Sequence, residues 1–441
     1  MEIKELQKII QESGVVGAGG AGFPTYAKLD ARANTILMNC AECEPLLKLH
    51  RQLLEKHAYE IMKTFHMVAE TVGASEAIIG IKKSYVQTVK ALEQHIEEFP
   101  NMRIHLLEEV YPMGDEVVLI YEATGRVVRP GGLPIEQGVA VFNVETIYNV
   151  YRAVEQQKPV TDKYVSVVAE VSDPVTVRVP LGCTLDEVVA QAGNVTIKDP
   201  VYFVGGPMMG RIGTGSEPVT KTTNAILVLP KDHVIVMKKQ RTSSIDLKRA
   251  ASICCQCNTC TDLCPRNNLG HPIDPALFMR AASNNDYRNV NPYLDSNFCS
   301  SCGVCEMYSC PQSLAPRTLL ADMKAGLKKA GVRPPQVQAA PVQNSREYRK
   351  VPEERLMARL GLTKYDKDAP MDETLVEVPK VKILLSQHIG APAQAIVKAG
   401  DQVTEGQMIA APANGLSVGI HASISGKVTE VTDRYIVIAR N

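Results

Sequence analysis

The 441-residue sequence has no tryptophan, and aromatic residues make up only 5% of it. That scarcity argues against a stacking platform for nucleic-acid bases. There is no excess charge of either sign, because 48 Lys and Arg balance 48 Asp and Glu. The electrostatic footprint of a protein that binds nucleic acid or an anionic membrane is therefore missing. No stretch approaches the roughly eighteen apolar residues that a membrane-spanning helix needs. The start, Met1-Glu2-Ile3-Lys4-Glu5-Leu6, lacks the basic opening and apolar core of a signal peptide. A soluble, cytoplasmic protein of about three or four domains is expected.

Cysteine is not scarce. There are twelve, and eight of them form two similar runs between Cys254 and Cys310. The first run reads Cys254-Cys255-Gln256-Cys257-Asn258-Thr259-Cys260, then Cys264-Pro265. The second reads Cys299, Cys302, Cys305, then Cys310-Pro311, with one extra residue before the last cysteine. Three thiolates at three-residue steps followed by Cys-Pro is ferredoxin spacing, in which the fourth cysteine of each run ligates the other cluster. One [4Fe–4S] cluster then takes Cys254, Cys257, Cys260 and Cys310, and the other takes Cys264, Cys299, Cys302 and Cys305. A register using Cys255 in place of Cys254 is also compatible. Structural zinc would call for pairs of CxxC separated by a longer loop. The remaining cysteines show no disulfide pattern, which fits a reducing compartment.

At the other end of the chain, Ile3, Leu6, Ile9 and Ile10 mark a helix ended by Gly14. Five glycines follow within residues 14–22. Gly17, Gly19 and Gly22 match GxGxxG formally, although a helix precedes them where the dinucleotide fingerprint has a strand. Gly20 adds to a loop whose backbone N–H groups can approach an anion closely, with Lys28 as a nearby cation. Residues 35–39 predict a buried strand delivering Asn39, Cys40, Glu42 and Cys43 at its carboxyl end, where open α/β sheets place ligands. Cys40 and Cys43 form a CxxC with no second pair nearby. A helix is predicted at 51–72, a strand at 76–81, a helix at 84–98 and a strand at 102–107. Gly114, Asp115 and Glu116 open the next helix. Residues 139–142 form a strand, and Asn143 is also placed as an N-cap. This alternation predicts a parallel sheet covered by helices.

These segments carry a resemblance. Gly17 to Thr25, then Asn39-x-x-Glu42-x-Glu44-Pro45, then Gly114-Asp115-Glu116, then Asn143-Val144-Glu145-Thr146 resemble the four signature segments of the complex I flavin subunit, which the Rnf-complex C subunit shares. The resemblance implies that Gly17, Gly19, Gly20, Gly22, Lys28, Asn39, Glu42, Gly114, Asp115, Glu116, Asn143 and Thr146 surround FMN. It further implies that Phe23 lies against the adenine of NADH and that Glu44 reaches its ribose hydroxyls. Two positions depart from complex I: Ala41 stands where it has an acid, and no basic residue appears between Gly131 and Pro134.

The resemblance extends along the chain. Residues 163–215 alternate with a period of two and resemble the soluble-ligand-binding β-grasp module of the same family, and 222–230 are expected to return a strand to the first domain. The last 65 residues or so, with His388-Ile389-Gly390-Ala391-Pro392, resemble a barrel-sandwich hybrid. Ala411 to Ile420 contains no lysine, which excludes a biotinyl or lipoyl carrier, and His388 and His421 read as structural. The expected architecture is therefore α/β and multidomain. It comprises a Rossmann-type flavin domain (1–160), a β-grasp module (161–218), a connector (219–252), a helical ferredoxin-like dicluster domain (253–330), a linker (331–372) with a short helix near 353–360, and the C-terminal barrel-sandwich hybrid (373–441). With the barrel-sandwich unit after the clusters instead of before the flavin domain, the order resembles the cobalamin reductases of bacterial propanediol-utilisation microcompartments. That implies FMN, two [4Fe–4S] clusters, NADH as donor and cobalamin as substrate, in support of a B12-dependent diol dehydratase. Implied partners are a shell protein, the dehydratase reactivation system and an adenosyltransferase, with neither nucleic acid nor membrane span. An Rnf-C-like protein passing electrons between NADH and ferredoxin, or a non-enzymatic electron-transfer adaptor, is the alternative.

Overall fold

In the computed structural model, which describes residues 1–440, the apolar run at Thr35–Cys40 is the inner strand of a four-stranded parallel sheet. Glu76–Lys82 lies on one side of it, with Met102–Leu107 beyond, and Val139–Asn143 lies on the other. The strand is buried on both faces, as parallel strands covered by helices are. In the covering helix Ala58–Val72, Ile61, Met62, Phe65, Val68 and Val72 recur at helical spacing and are all buried. The helix expected over 51–72 is two, Leu49–Lys56 and Ala58–Val72. They break at His57, whose ring lies on Tyr148 and meets Glu373 at 2.7 Å. The helix expected over 84–98 stops at Glu93, and a single turn at Ile96–Glu98 follows.

Asn39 and Asn143 are register partners at the ends of adjacent parallel strands. The chain leaves the first strand toward one edge of the sheet and returns on the other side, so this pair marks the topological switch point, where a crevice opens.

The second sheet has six strands, in the order Met371–Leu375, Val175–Pro180, Asp162–Ala169, Ala225–Pro230, Pro200–Val204, Arg211–Gly213. Thr184 caps the short helix Leu185–Val189 in a capping box with Glu187. Here the sequence expectation is corrected. Ala225–Pro230 does not return to the first domain; it joins the second sheet, parallel to Asp162–Ala169 and antiparallel to Pro200–Val204. Ile226 and Val228 face one apolar core while Ala225, Leu227 and Leu229 face another, so the strand belongs at the middle of a sheet covered on both faces.

The segment 331–372 is likewise more than a spacer. Val351–Pro352 pairs with Val110–Tyr111, Leu356, Leu360 and Leu362 are buried, and Met371–Leu375 adds the edge strand of the second sheet. Helices Ser243–Ile253, Pro275–Ser283 and Pro316–Lys329 surround a separate small core that includes Phe278, Tyr293, Phe298 and Leu320. The C-terminal unit consists of a four-stranded and a three-stranded sheet. It seats on the first domain through Ile389 N–H to the Gly22 carbonyl at 3.1 Å and Gly419 N–H to the Gln11 carbonyl at 3.0 Å.

Candidate functional site

The glycine loop closes on itself. Gly17 N–H donates to the Phe23 carbonyl at 2.9 Å, and Val16 bridges Pro24. This folds the loop over the carboxyl ends of strands Thr35–Cys40 and Val139–Asn143, enclosing a cleft of about 280 Å³. A Cβ on Gly19 would stand 2.5 Å from Asn143 Nδ2, so loop and strand end approach more closely than any side chain permits. Gly22 has φ +74° and packs under the Gln387 carbonyl. Ala18 N–H donates to Thr146 Oγ1 at 3.0 Å, tying the loop to the first turn of helix Val144–Val154.

Eleven of the fourteen cofactor-binding residues expected from the sequence line this cleft: Gly17, Gly19, Gly20, Gly22, Phe23 and Lys28 from the loop side, and Asn39, Gly114, Glu116, Asn143 and Thr146 opposite. Asn39 Nδ2 donates to the Gly114 carbonyl at 2.9 Å. Asn143 has two roles: its Oδ1 accepts from Glu145 N–H at 3.0 Å as the N-cap, and its Nδ2 faces the loop. Lys28 Nζ reaches the Val141 carbonyl at 2.9 Å and Glu116 at 3.1 Å. The donor set fits FMN, with backbone N–H groups free of side chains, a helix N-terminus and an ammonium for one phosphate, and two carboxamides for a polar ring edge. A larger and more open groove of about 630 Å³ runs between Arg129 and Pro341. Its lining includes neither the glycine loop nor a cysteine, and the cleft is the better candidate.

Glu42, Glu44 and Asp115 do not line the cleft. Glu42 accepts from His50 N–H at 3.1 Å, capping helix Leu49–Lys56. Glu44 accepts from Met208 N–H at 2.9 Å and Met209 N–H at 3.0 Å, holding a turn of the second sheet; burial pushes its carboxyl up to about 7. Asp115 caps helix Glu116–Thr124 and pairs with Arg266 at 2.9 Å.

The cysteines gather in two hollows. Cys254, Cys257, Cys260 and Cys310 line one, with Cys255 also on its wall; Cys264, Cys299, Cys302 and Cys305 line the other. The fourth cysteine of each run has therefore crossed to the partner set. Among the described residues no three ligating side chains converge as a single ion would require. Four thiols stand around each hollow, one for each iron of a cubane. Burial pushes the Cys264 and Cys302 thiols up to about 12. N–H donors are already aimed at sulfur: Ser301 N–H lies 3.3 Å from Cys299 Sγ and Leu314 N–H 3.3 Å from Cys310 Sγ.

The two hollows differ in setting. Cys255 and Cys257 are exposed, whereas Cys305 is buried. The Cys264 hollow abuts the flavin-type domain through Tyr111 Oη on the Cys302 carbonyl and through Arg266 on Asp115. Cys43, of the isolated CxxC, is half-buried beside Gly114 at the same junction. Sequence reading missed Tyr111 and Arg266, though the first precedes a signature segment by three residues and the second follows Cys264-Pro265 directly.

Comparison with known proteins agrees with this layout. Residues 10–152 match the model of the Nuo51 FMN-binding domain, 253–315 that of a 4Fe-4S dicluster domain, and 364–441 that of the RnfC barrel sandwich hybrid domain. Cobalamin reductase PduS of Salmonella typhimurium is 41% identical over 438 residues, covering 99% of this chain and 96% of that protein. Cobalamin reductase PduS of Citrobacter freundii is 40% identical over 441 residues, covering 100% and 97%. In fold, the chain is similar to NAD+-reducing [NiFe]-hydrogenase in the H2-reduced state, with a TM-score of 0.52, 22% identity, and coverage of 76% and 64% of the two chains. Three family models for flavin, iron–sulfur and barrel-sandwich units and two full-length relatives converge: the chain belongs to the PduS cobalamin reductase family, oxidoreductases built to carry flavin and iron–sulfur cofactors.

Proposed function

We propose that this protein is an NADH-dependent cobalamin reductase that takes cob(III)alamin and cob(II)alamin to cob(I)alamin. NADH delivers two electrons as a hydride and cobalt takes them singly; bound FMN and [4Fe–4S] clusters supply the conversion between the two. The glycine loop with Lys28 holds the FMN phosphate, Asn39 and Asn143 orient the ring edge, and Phe23 borders the nicotinamide donor. Two sets of four thiolates hold two clusters, Cys254, Cys257, Cys260 and Cys310 in one, Cys264, Cys299, Cys302 and Cys305 in the other. Glu44 and Asp115 serve this site by joining the units around it.

The observation that carries the reading is the setting of the hollows: the Cys264 hollow abuts the flavin-type domain through Tyr111 and Arg266, whereas the Cys257 hollow has the exposed Cys255 and Cys257 on its wall. That order suits electron entry on one side and exit to a bulky corrin on the other. Among the described residues no helix is long and apolar enough to cross a membrane. The reduced corrin would serve reactivation of a B12-dependent diol dehydratase, through an adenosyltransferase, inside a propanediol-utilisation microcompartment whose shell protein anchors the enzyme.

The donor half is tested by anaerobic NADH titration of the reconstituted protein. Bleaching of the flavin band on addition of NADH is the expected result, with up to about two NADH consumed per flavin because each cluster also takes one electron. A band unmoved by NADH yet bleached by dithionite would leave only the adaptor function.

A further inference from the structure

We propose that Arg317 sets the reduction potential of the cluster held in the Cys264 hollow, by donating N–H···S hydrogen bonds and by its charge. Arg317 stands in the first turn of helix Pro316–Lys329 and lines the hollow formed by Cys264, Cys299, Cys302 and Cys305. Its side chain is only 13% exposed. Nε and Nη2 are buried and have no hydrogen-bond partner within the protein. The nearest carboxylate oxygen, Glu306 Oε2, is 4.0 Å from Nε and already accepts from Thr318 N–H and Thr318 Oγ1 at 2.9 Å each.

A buried guanidinium with orphaned donors is costly unless an acceptor meets it. The thiolate and sulfide atoms of a cluster are that acceptor. Two other cations flank the hollow, but both have partners: Arg266 is paired with Asp115, and Lys324 Nζ donates to the Cys299 carbonyl at 3.1 Å. Of the three, only Arg317 has buried nitrogens with no partner at all.

The contrast with the other hollow makes the effect local. No Lys or Arg lines the Cys257 hollow. Arg241 and Arg249 reach the Ser313 carbonyl and Arg359 the Cys310 carbonyl, and Arg249 also pairs with Asp246. Reduction adds one negative charge to a cluster, and hydrogen bonds to its sulfurs together with a nearby cation favour the reduced form. Arg317 therefore raises the potential of the buried cluster, making it the readier acceptor next to the flavin domain, and leaves the exposed cluster alone. This rests on the two-cluster reading, which iron content tests separately: about eight irons per chain are needed.

The experiment is a paramagnetic-resonance redox titration of the reconstituted full-length protein, with Cys257→Ser identifying the signal of the exposed cluster. Arg317→Gln is expected to lower the midpoint of the other cluster by about tenfold in its reduced-to-oxidised ratio, about 59 mV for one electron, with the exposed cluster unmoved. Arg317→Lys, which keeps charge but not the planar fork, should recover about half of that shift. Unmoved midpoints in Arg317→Gln, or an equal shift in both clusters, overturns the proposal. If Arg317→Gln fails to load iron, Arg317→Lys decides. Full iron with the buried cluster's midpoint below that of the parent upholds the proposal; an unmoved midpoint, or loss of the cluster with lysine as well, overturns it.

Discussion

Tyr111 donates its phenolic O–H to the backbone carbonyl of Cys302 at 2.6 Å, joining the flavin-type domain to a cysteine of the buried hollow. Tyr111 is itself buried, and the strand Val110–Tyr111 that carries it is held by Val351–Pro352 from the far side. Beside it, the guanidinium of Arg266 meets Asp115 with both side chains largely shielded, 16% and 8% exposed. A neutral hydrogen bond and a buried ion pair thus hold the same junction, and they should fail differently.

Tyr111→Phe removes a net contribution of about 1 kcal/mol, whereas Asp115→Asn strands a buried guanidinium and should cost about 3–5 kcal/mol. Thermal denaturation of the two variants should rank them in that order. Equal losses would mean the ion pair is solvated in solution.

Crossed ligation makes a sharp expectation for single cysteines. Cys264→Ser should damage the cluster shared with Cys299, Cys302 and Cys305, and Cys310→Ser the one shared with Cys254, Cys257 and Cys260. Iron counts near four in each, with complementary paramagnetic signals remaining, would agree. If Cys264→Ser removes the signal that Cys257→Ser also removes, the ligand sets are uncrossed.

Gly19→Ala introduces a Cβ 2.5 Å from Asn143 Nδ2 at the wall of the cleft. Flavin content should fall sharply while iron content holds, because the clusters lie in a separate unit. Acid release from the parent protein should yield FMN; FAD, or a flavin that stays with the chain, would contradict a cleft built for one phosphate.

Two buried groups give opposite pH slopes. Burial raises the Glu44 carboxyl from 4.5 to about 7, so its stabilising share is complete below pH 4.5 and is lost as pH rises through about 7. Lys221, buried with Nζ donating to the Gly14 and Gly419 carbonyls, is lowered from 10.5 to about 7 by desolvation. Its contribution is complete above pH 10.5 and is lost as pH falls through about 7. Denaturation across pH should therefore show a falling component from 4.5 to 7 that Glu44→Gln abolishes, and a rising one from 7 to 10.5 that Lys221→Met abolishes. Parent-like slopes in either variant would remove that group from the account.

Much of the site could be read from local pattern. Asn39 and Asn143 are named by strand ends and capping, and a parallel sheet makes them neighbours. The crossing of the fourth cysteines follows from spacing, which leaves the choice between Cys254 and Cys255 open. What escaped depends on partner choice over long range. A wholly apolar strand such as Ala225–Pro230 suits the middle of either sheet, and only tertiary pairing selects one. Glu44 and Asp115 belong to signature segments, yet their oxygens are engaged by Met208, Met209 and Arg266, contacts that no local periodicity encodes. Arg317 looks in sequence like an ordinary residue of a charged helix face, and its burial appears only once the second cysteine run folds over it.

The most direct test follows the corrin itself. NADH is added anaerobically to the reconstituted protein with cob(II)alamin, and the flavin and corrin bands are recorded together. The expected result is the spectrum of cob(I)alamin, formed at a rate proportional to protein and absent with flavin-free Gly19→Ala. The contradicting result is a flavin band that bleaches while the corrin spectrum remains that of cob(II)alamin.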